Sequence, residues 1–297
     1  RGALMVVNEA TSSVQAKGTK TVIAAAVTAL SLGAGVATAA DAVTFGTATA
    51  TVEGGLTITN DASTAGGFSA DKVTVTNDDG EVKVEDWSKQ TLAATDKLSI
   101  TLKGGELATT FDDKASKALT VTLGNVQGAG TISMTATKGA EDNAYGQALT
   151  VDTLALSEGD LNFSASGTGA KTGSISVTTA DTGAITLGTA EVKPDGSSVP
   201  TTAAKAANIT VNDAALAVTL TASKANFDYN AGTVTNAGTL TLAATKGDTS
   251  GGVVTLDKDV SFANSGTVAI EGDTVTLNAS YDATSEANKS GYLEVKS

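Results

Sequence analysis

Cysteine and histidine are both absent from the 297 residues of this sequence. Without cysteine there can be no disulfide framework and no thiolate metal site. Without histidine the chain lacks the usual general base, the commonest metal ligand and the side chain that titrates near neutral pH. We therefore predict no catalytic, metal-binding or cofactor-binding residues, and we expect that the chain is not an enzyme.

Basic and aromatic residues are also scarce. The 32 aspartates and glutamates outnumber the 19 lysines and arginines, which gives a formal net charge of −13. Nucleic acid is not an expected partner, because phosphate binding needs a basic surface. Aromatic residues make up only 4% of the chain. So little ring volume predicts a narrow core that is filled by aliphatic side chains.

The first forty residues have the three parts of a secretory signal peptide. Positive charge at Arg1, Lys17 and Lys20 precedes an uncharged stretch over 21–40, which ends in a small-x-small pattern. This order predicts a signal peptide over 1–39 rather than a transmembrane helix, since much of the stretch is alanine, threonine, serine and glycine. The residues assigned to the cleavage site are Ala37, Ala39 and Ala40, and the mature segment is 40–297.

The region ahead of the apolar stretch is long and half apolar, and it contains Ala3, Val6, Val7, Glu9, Lys17 and Lys20. With these residues it resembles the extended signal peptide of autotransporters, the type V secreted proteins of Gram-negative bacteria. In that family a segment of the form N-x-A…VVxE and a basic stretch precede an ordinary signal. The resemblance implies a β-helical passenger exported to the cell surface or the medium. It also implies further residues ahead of Arg1 and an outer-membrane barrel beyond Ser297.

Beyond residue 40, aliphatic residues alternate with threonine and serine at a period of two. Such alternation, bounded by glycine, asparagine and aspartate, is typical of β-strands, and no stretch after Leu32 has helical periodicity. The sequence therefore predicts an all-β body. The clearest runs are 73–75, 98–102, 119–123, 185–187 and 240–242.

Five segments share a loose template: a polar residue, a small residue, glycine, a small residue, and then alternating aliphatics. We predict that each glycine adopts a positive φ in a turn before a short strand. The irregular spacing of the copies fits a parallel right-handed β-helix with loops of variable length, in which equivalent strands stack about 4.8 Å apart. The copies span 128–134, 171–177, 181–187, 236–242 and 264–270.

An alternative fold is a tandem of antiparallel β-sandwich modules, which also contain short strands at regular spacing. A recurring core tryptophan would favour such modules, but Trp87 is the only tryptophan in the sequence. Tight hairpins would favour them too, and only 77–86 has the pattern of a clean hairpin. These features and the resemblance favour the β-helix.

Two features depart from the pattern of short aliphatic strands. Residues 193–207 contain both prolines and no alternation, which predicts a protruding loop or a linker. Three aromatic side chains, Phe227, Tyr229 and Phe262, lie in strand-like runs. We expect these rings to pack in the core.

Three local motifs suggest chemistry, and each has a simpler explanation. The stretch 247–252 resembles the Gly-Asp-Ser-Gly-Gly around the nucleophile of trypsin-like proteases, but Thr249 is inserted and no histidine can accept the proton of Ser250. A turn between two strands is predicted there instead. Residues 246–248 match an integrin-type tripeptide, which often arises by chance. The densest acidic cluster lacks calcium-loop spacing and is interpreted as solvated turn charge. It comprises Asp78, Asp79, Glu81, Glu85 and Asp86.

The combined features predict an adhesin-like passenger, displayed on the cell surface or secreted, that takes part in adhesion or cell aggregation. It would bind host surface or matrix molecules, or sister cells, through many weak polar contacts, with self-association as a related outcome. One alternative is the stalk of an exported enzyme, either a carboxylate-based hydrolase or a protein whose catalytic domain lies outside this segment. Another alternative is an S-layer-like surface subunit.

Overall fold

The described part of the chain is built entirely from β-strands. Its residues form twenty strands and no helix, so the all-β prediction is confirmed for them. The predicted leader 1–39, the cleavage-site residues Ala37, Ala39 and Ala40, and Trp87 lie outside the described residues. The computed structural model describes residues 48–61, 64–77, 80–82, 90–91, 97–111, 118–140, 144–195, 199–249 and 251–297.

The described strands belong to two sheets, one of thirteen strands and one of seven. The thirteen-stranded sheet contains β1 (Thr49–Asp61), β2 (Thr64–Asn77), β3 (Gly80–Val82), β4 (Gln90–Thr91), β5 (Ser99–Phe111), β7 (Val126–Gly139), β9 (Leu154–Ser166), β10 (Lys171–Thr172), β12 (Ile185–Leu187), β13 (Ala207–Val211), β15 (Phe227–Asn236), β17 (Val253–Asn264) and β19 (Thr274–Leu277). The seven-stranded sheet contains β6 (Leu119–Thr122), β8 (Gln147–Val151), β11 (Ile175–Thr179), β14 (Ala217–Ala222), β16 (Thr239–Ala244), β18 (Thr267–Glu271) and β20 (Tyr292–Lys296).

From β5 onward the chain alternates between the two sheets. We call one crossing of the thirteen-stranded sheet, together with the following crossing of the seven-stranded sheet, a pass. Each long strand pairs in parallel with the long strand of the previous pass, and the strands of the seven-stranded sheet do the same. Parallel pairing follows because every pass crosses a given sheet in the same direction. In the described residues, antiparallel pairing between strands involves β2, β3, β4 and β10 with their neighbours, and three isolated antiparallel bridges lie outside the strands. The pairing is consistent with a β-helical or solenoid-like fold and argues against antiparallel sandwich modules.

The core consists of rows of inward side chains that stack along the sheet from pass to pass. In one row the first seven side chains are at most 1% exposed. Phe227 and Tyr229 are fully buried and Phe262 is 8% exposed, so the predicted core positions of these rings are confirmed. The Tyr229 hydroxyl donates to the Ala207 carbonyl at 2.7 Å, and burial raises the pKa of this phenol. The row comprises Ala50, Ile100, Val126, Leu154, Ile185, Phe227, Val254 and Val275.

Antiparallel strands form the end of the thirteen-stranded sheet that lies beyond β1. Strand β2 pairs antiparallel with β1, and β3 pairs antiparallel with β2. The residues that face each other nearest the turn are Asn77 and Gly80. The pairing joins 75–77 to 80–82, so it overlaps the predicted hairpin 77–86 only at its start; residues 78–79 and 83–86 lie outside the described residues.

The predicted positive φ of the template glycines is wrong at Gly173, Gly183, Gly238 and Gly266. These glycines are required for a different reason, which is the close approach of the backbone of the previous pass. A Cβ on Gly183 would lie 1.9 Å from the Asp152 carbonyl oxygen, and one on Gly266 would lie 2.0 Å from the Gly238 carbonyl oxygen. The repeated glycine pattern therefore marks positions where the backbones of neighbouring passes come into close contact.

One pass of the thirteen-stranded sheet is interrupted by an excursion, which we define as residues 188–206. Strands β12 and β13 both pair with β9 and β15, so the chain leaves the sheet after β12 and returns to it at β13. Within the excursion, Thr189 bridges Lys205 and Val192 bridges Thr202, both antiparallel. The segment 193–207, predicted as a protruding loop or linker, lies in this excursion except for its last residue, which begins β13.

Buried asparagines stack at the ends of successive long strands. Asn236 ends β15 and Asn264 ends β17, and both are at most 1% exposed. The Asn236 Nδ2 donates to the Asn264 Oδ1 at 2.9 Å, and the Asn264 backbone N–H donates to the Asn288 Oδ1 at 2.8 Å. Each side chain therefore satisfies the polar groups of its neighbour, which is what allows amides to be buried at a turn.

Candidate binding faces

The outer side of the seven-stranded sheet carries a row of threonines on four consecutive strands. Parallel register places each of these side chains directly beside the next. One of them is exposed and the other three are partly exposed. Neighbouring hydroxyls and methyls in such a row repeat at about 4.8 Å, the spacing between paired strands. We call this set the threonine row; its members are Thr122, Thr150, Thr178 and Thr221.

A second row of small side chains runs beside the threonine row, two residues earlier on each strand. The distance between the two rows is about 7 Å, since each residue of a strand advances the chain by about 3.3 Å. The resulting face offers a regular array of hydroxyl donors and acceptors interspersed with methyl groups. Such an array can make many similar weak contacts with a repetitive or extended surface. The second row comprises Thr120, Ala148, Ser176, Thr219 and Thr241.

Polar side chains also line up on the thirteen-stranded sheet, but they bond to one another. The Asn208 Nδ2 donates to the Asp160 Oδ1 at 2.9 Å, and the Asn208 Oδ1 accepts from the Thr233 backbone N–H at 3.0 Å. The hydroxyls of Thr233 and Ser261 lie 2.9 Å apart. Part of this row's hydrogen-bonding capacity is therefore used within the chain. The threonine row has a higher density of identical side chains.

An ion cluster connects the excursion to β17. Glu191 lies 2.8 Å from the Lys193 ammonium and 3.2 Å from the Lys258 ammonium. Hydrogen bonds from these two lysines lower the pKa of Glu191. The Lys258 ammonium also lies 2.9 Å from Asp259, and hydrogen bonds to Asp259 and Glu191 raise the pKa of Lys258. The cluster links the base of the excursion to a later pass. Within the excursion, Val199 is 69% exposed.

Other ion pairs join different passes of the chain. Lys138 on β7 hydrogen-bonds to Asp213, which follows β13, and this bond lowers the pKa of the Asp213 carboxyl. Lys224 lies 2.7 Å from Asp181, in the turn of the preceding pass. These pairs have single oppositely charged partners that neutralise each other. They join passes together rather than presenting a single-sign surface for a charged ligand.

The motifs that the sequence singled out do not form a reaction site in the described residues. Lys246 and Gly251 form an antiparallel bridge between the end of β16 and the start of β17, so the predicted turn over 247–252 is confirmed. Ser250 lies outside the described residues. In the acidic cluster, Glu81 lies in β3, whereas Asp78, Asp79, Glu85 and Asp86 lie outside them.

The part of the chain that the structure describes contains neither a candidate metal cluster nor a membrane-spanning helix. No group of three or more aspartate or glutamate side chains there is placed to hold a metal ion. The same residues include no helix with the length and apolarity needed to span a bilayer. No protein-family model matches the chain, and no curated protein or solved structure matches it.

The sequence pattern missed the grouping of the threonines. The runs Leu119–Leu123 and Ile185–Leu187 were both predicted as strands, yet they belong to different sheets. Periodicity along one strand gives the side that a residue faces. It gives no information on which other strand lies beside it. A Thr-x-Thr or Ser-x-Thr pair inside successive strands, as at 120–122, 176–178 and 219–221, was the available signal.

Proposed function

We propose that this chain is an exported binding segment that folds as a right-handed parallel β-helix and acts as the passenger of an autotransporter-like protein. Three features support the proposal. The leader has the order of a signal peptide. From β5 onward, most of the described strands stack in parallel as the chain alternates between two sheets. The outer faces of those strands carry rows of hydroxyl side chains.

The threonine row is the observation that carries the binding role. A single threonine contact is weak, because its hydrogen bond to a ligand replaces one to water. Four aligned threonines can engage a repetitive ligand together, and the affinities of linked contacts multiply. The expected partners are therefore extended surfaces, namely host surface or matrix molecules or the passengers of sister cells. Adhesion and cell aggregation are the corresponding activities.

Charged side chains placed in the threonine row should abolish this adhesion. In a Thr150→Lys/Thr178→Lys variant, two long ammonium side chains would separate the face from its ligand. We expect binding of purified 40–297 to immobilised matrix protein or glycan, measured by surface plasmon resonance, to weaken by at least about tenfold. Aggregation of cells that display the segment should fall with it.

The matched control is Thr210→Lys/Thr235→Lys, which changes a neighbouring pair of outward threonines on the thirteen-stranded sheet. This variant carries the same added charge and should bind within about twofold of the unchanged segment. An equal loss in both variants would assign the effect to net charge. An unchanged affinity in the threonine-row variant would rule out this row as the binding face.

The proposed export makes a separate prediction about the leader. Residues 1–45 fused to a periplasmic reporter should be cleaved after Ala39 or Ala40, as measured by N-terminal sequencing. An Ala37→Leu/Ala39→Leu variant should remain uncleaved, because the cleavage site requires small side chains. Ala24→Leu, which only makes the apolar stretch more hydrophobic, should still be processed. Retention of the unchanged fusion in the cytoplasm would contradict the proposed export.

A further inference from the structure

The excursion, residues 188–206, is an insertion into a regular pass of the thirteen-stranded sheet. Leu187 and Ala207, the residues on either side of it, face Leu156 and Gly159 on β9. Only two residues separate these partners on β9, whereas the excursion contains nineteen. In folds built from stacked passes, such insertions form loops on the outer surface. The excursion is therefore an addition to the sheet and not one of its strands.

The returning arm of the excursion is accessible, and part of its backbone makes no hydrogen bond. From Val199, which is 69% exposed, to the start of β13, every residue is exposed or partly exposed. Ala203 and Ala204 lie between the two bridges of the excursion, which involve Thr202 and Lys205. Within the described residues, the backbone N–H and C=O groups of these two alanines have no hydrogen-bond partner. Exposed loops with small residues are preferred sites of proteolytic cleavage.

The two lysines of the excursion are protected from a protease that cuts after basic residues. Lys193 precedes Pro194, whose ring removes the backbone N–H and fixes φ on the far side of the bond that would be cut. The Lys205 N–H and C=O are bonded to Thr189 at 3.0 and 2.9 Å, and the Lys205 ammonium lies 3.2 Å from Glu158. A trypsin-like enzyme is therefore not the expected partner.

The valines of the excursion are also poor cleavage sites, and the excursion contains no aromatic residue for a protease with a large apolar pocket. The Val192 N–H and C=O are both bonded across the bridge to the returning arm. Val199 is followed by Pro200, which protects the bond between them as Pro194 protects the bond after Lys193. Alanines are the remaining apolar side chains.

Of these alanines, the pair Ala203–Ala204 is the best placed for cleavage. Ala190 is followed by Glu191, which an ion pair of 3.2 Å holds to Lys258 on β17. Ala203 and Ala204 have no such attachment, and their free backbone groups can pair with a protease that binds its substrate as an extended strand. Elastase is the type of endoprotease whose S1 pocket is small enough to select an alanine side chain.

We infer that the excursion is a processing site for an endoprotease with a small apolar S1 pocket, which cuts the Ala203–Ala204 bond. The protease supplies the catalytic groups. Hydrolysis consumes one water molecule and leaves a carboxylate on Ala203 and an amino group on Ala204. The product is a two-chain form of the protein.

The two fragments should stay together after the cut, because strand pairing crosses between them. Strands β9, β11 and β12 belong to the first fragment, and β13, β14 and β15 belong to the second. In the thirteen-stranded sheet β12 pairs with β15 and β13 pairs with β9. In the seven-stranded sheet β11 pairs with β14. The ion pairs Glu191–Lys258 and Asp181–Lys224 also join one fragment to the other.

The test is digestion of the full chain with elastase under native conditions, with the products followed over time by mass spectrometry. Among the peptide bonds of the described residues, we expect Ala203–Ala204 to be cut first. The two fragments should then elute together from a size-exclusion column in buffer and separately in concentrated urea.

Two proline changes test the site and the protection separately. Ala204→Pro should slow the elastase cut by at least about tenfold, because proline removes the N–H and fixes φ after the bond to be cut. Pro194→Ala should have the opposite effect with trypsin. Cleavage after Lys193 should become at least about tenfold faster than in the unchanged chain, since the protecting ring is gone.

Survival of the Ala203–Ala204 bond while other described bonds are cut, or while none is cut, would overturn the inference. So would fragments that separate in buffer, or a Lys193 that stays resistant to trypsin in the Pro194→Ala variant. The inference concerns the excursion and does not rest on the proposed binding face, which lies on the seven-stranded sheet. Loss of adhesion in the threonine-row variant and loss of cleavage in the Ala204→Pro variant are therefore separate outcomes.

Discussion

Replacing Gly266 with alanine is expected to lower the free energy of unfolding by about 3 kcal/mol. The added Cβ would lie 2.0 Å from the carbonyl oxygen of Gly238, far inside van der Waals contact. That oxygen belongs to the backbone of the previous pass and cannot rotate away as a side chain would. Gly266 directly precedes β18, and Gly238 directly precedes β16. To admit the methyl group these two backbone segments must move apart, which weakens the pairing of β16 with β18.

The control for this prediction is Gly55→Ala in β1. A Cβ at Gly55 would have no atom within 4 Å, and its φ lies outside the positive region. This variant should change stability by less than about 1 kcal/mol, since alanine also reduces the conformational freedom of the unfolded chain. Urea unfolding followed by circular dichroism measures both variants. Equal effects at the two positions would refute close approach as the reason for Gly266.

Removing the Asn264 side chain is the second change with a large expected effect. In an Asn264→Ala variant the Asn236 Nδ2 loses an acceptor at 2.9 Å, and the Gly266 N–H loses one at 3.1 Å. The Tyr292 carbonyl loses a donor at 3.0 Å. The Asn236 Nδ2 keeps the Gly238 and Thr267 carbonyls as acceptors, and the Gly266 N–H keeps the Asn236 carbonyl. Losing three hydrogen bonds at a fully buried position should still cost about 3 kcal/mol of unfolding free energy.

Two comparisons make the asparagine prediction specific. Asn212→Ala removes an exposed asparagine that follows β13, and it should change stability by less than about 0.5 kcal/mol. The double variant Asn236→Ala/Asn264→Ala should be about 1 kcal/mol more stable than the sum of the single changes predicts, because the two amides share a hydrogen bond. Strict additivity would show that the stacked amides act independently.

The same parallel stacking produces both the proposed binding face and the core. A residue that faces inward on one pass aligns with inward residues on the passes before and after it, and the outward residues align in the same way. A change of residue type from one pass to the next therefore changes the chemistry of the outer face. The threonine row spans four strands, after which its positions are occupied by Ala243, Glu271 and Lys296. These positions therefore carry threonine from β6 to β14 and charged side chains on β18 and β20.

The alternation of aliphatic and polar residues along the sequence was enough to predict strands, but it did not explain the glycines of the repeated template. Val73–Val75, Leu98–Leu102 and Leu240–Leu242 were predicted from period two and lie in β2, at the start of β5, and in β16. Period two reports burial on one side, which is a property of a single strand. The glycines of the repeated template were assigned to positive φ for lack of any information on neighbouring passes.

The buried asparagines show the same limit of sequence reasoning. Asn236 and Asn264 were recognised as the polar first residue of two template copies, with no role beyond the turn. Their 2.9 Å contact joins residues 28 positions apart. A lone asparagine before glycine suggests a solvated turn, because its partner is not visible in the local sequence.

By itself, the sequence determined that the body of this protein is made of aliphatic β-strands and that the rings of Phe227, Tyr229 and Phe262 are buried. These properties depend on the hydrophobicity of the side chains and on their alternation between the two sides of a single extended strand. Only the tertiary structure decided that most of the described strands pair in parallel within two sheets and that four threonines share one row. Those properties depend on which pass lies beside which, and that adjacency is set by pairing between segments far apart in the chain.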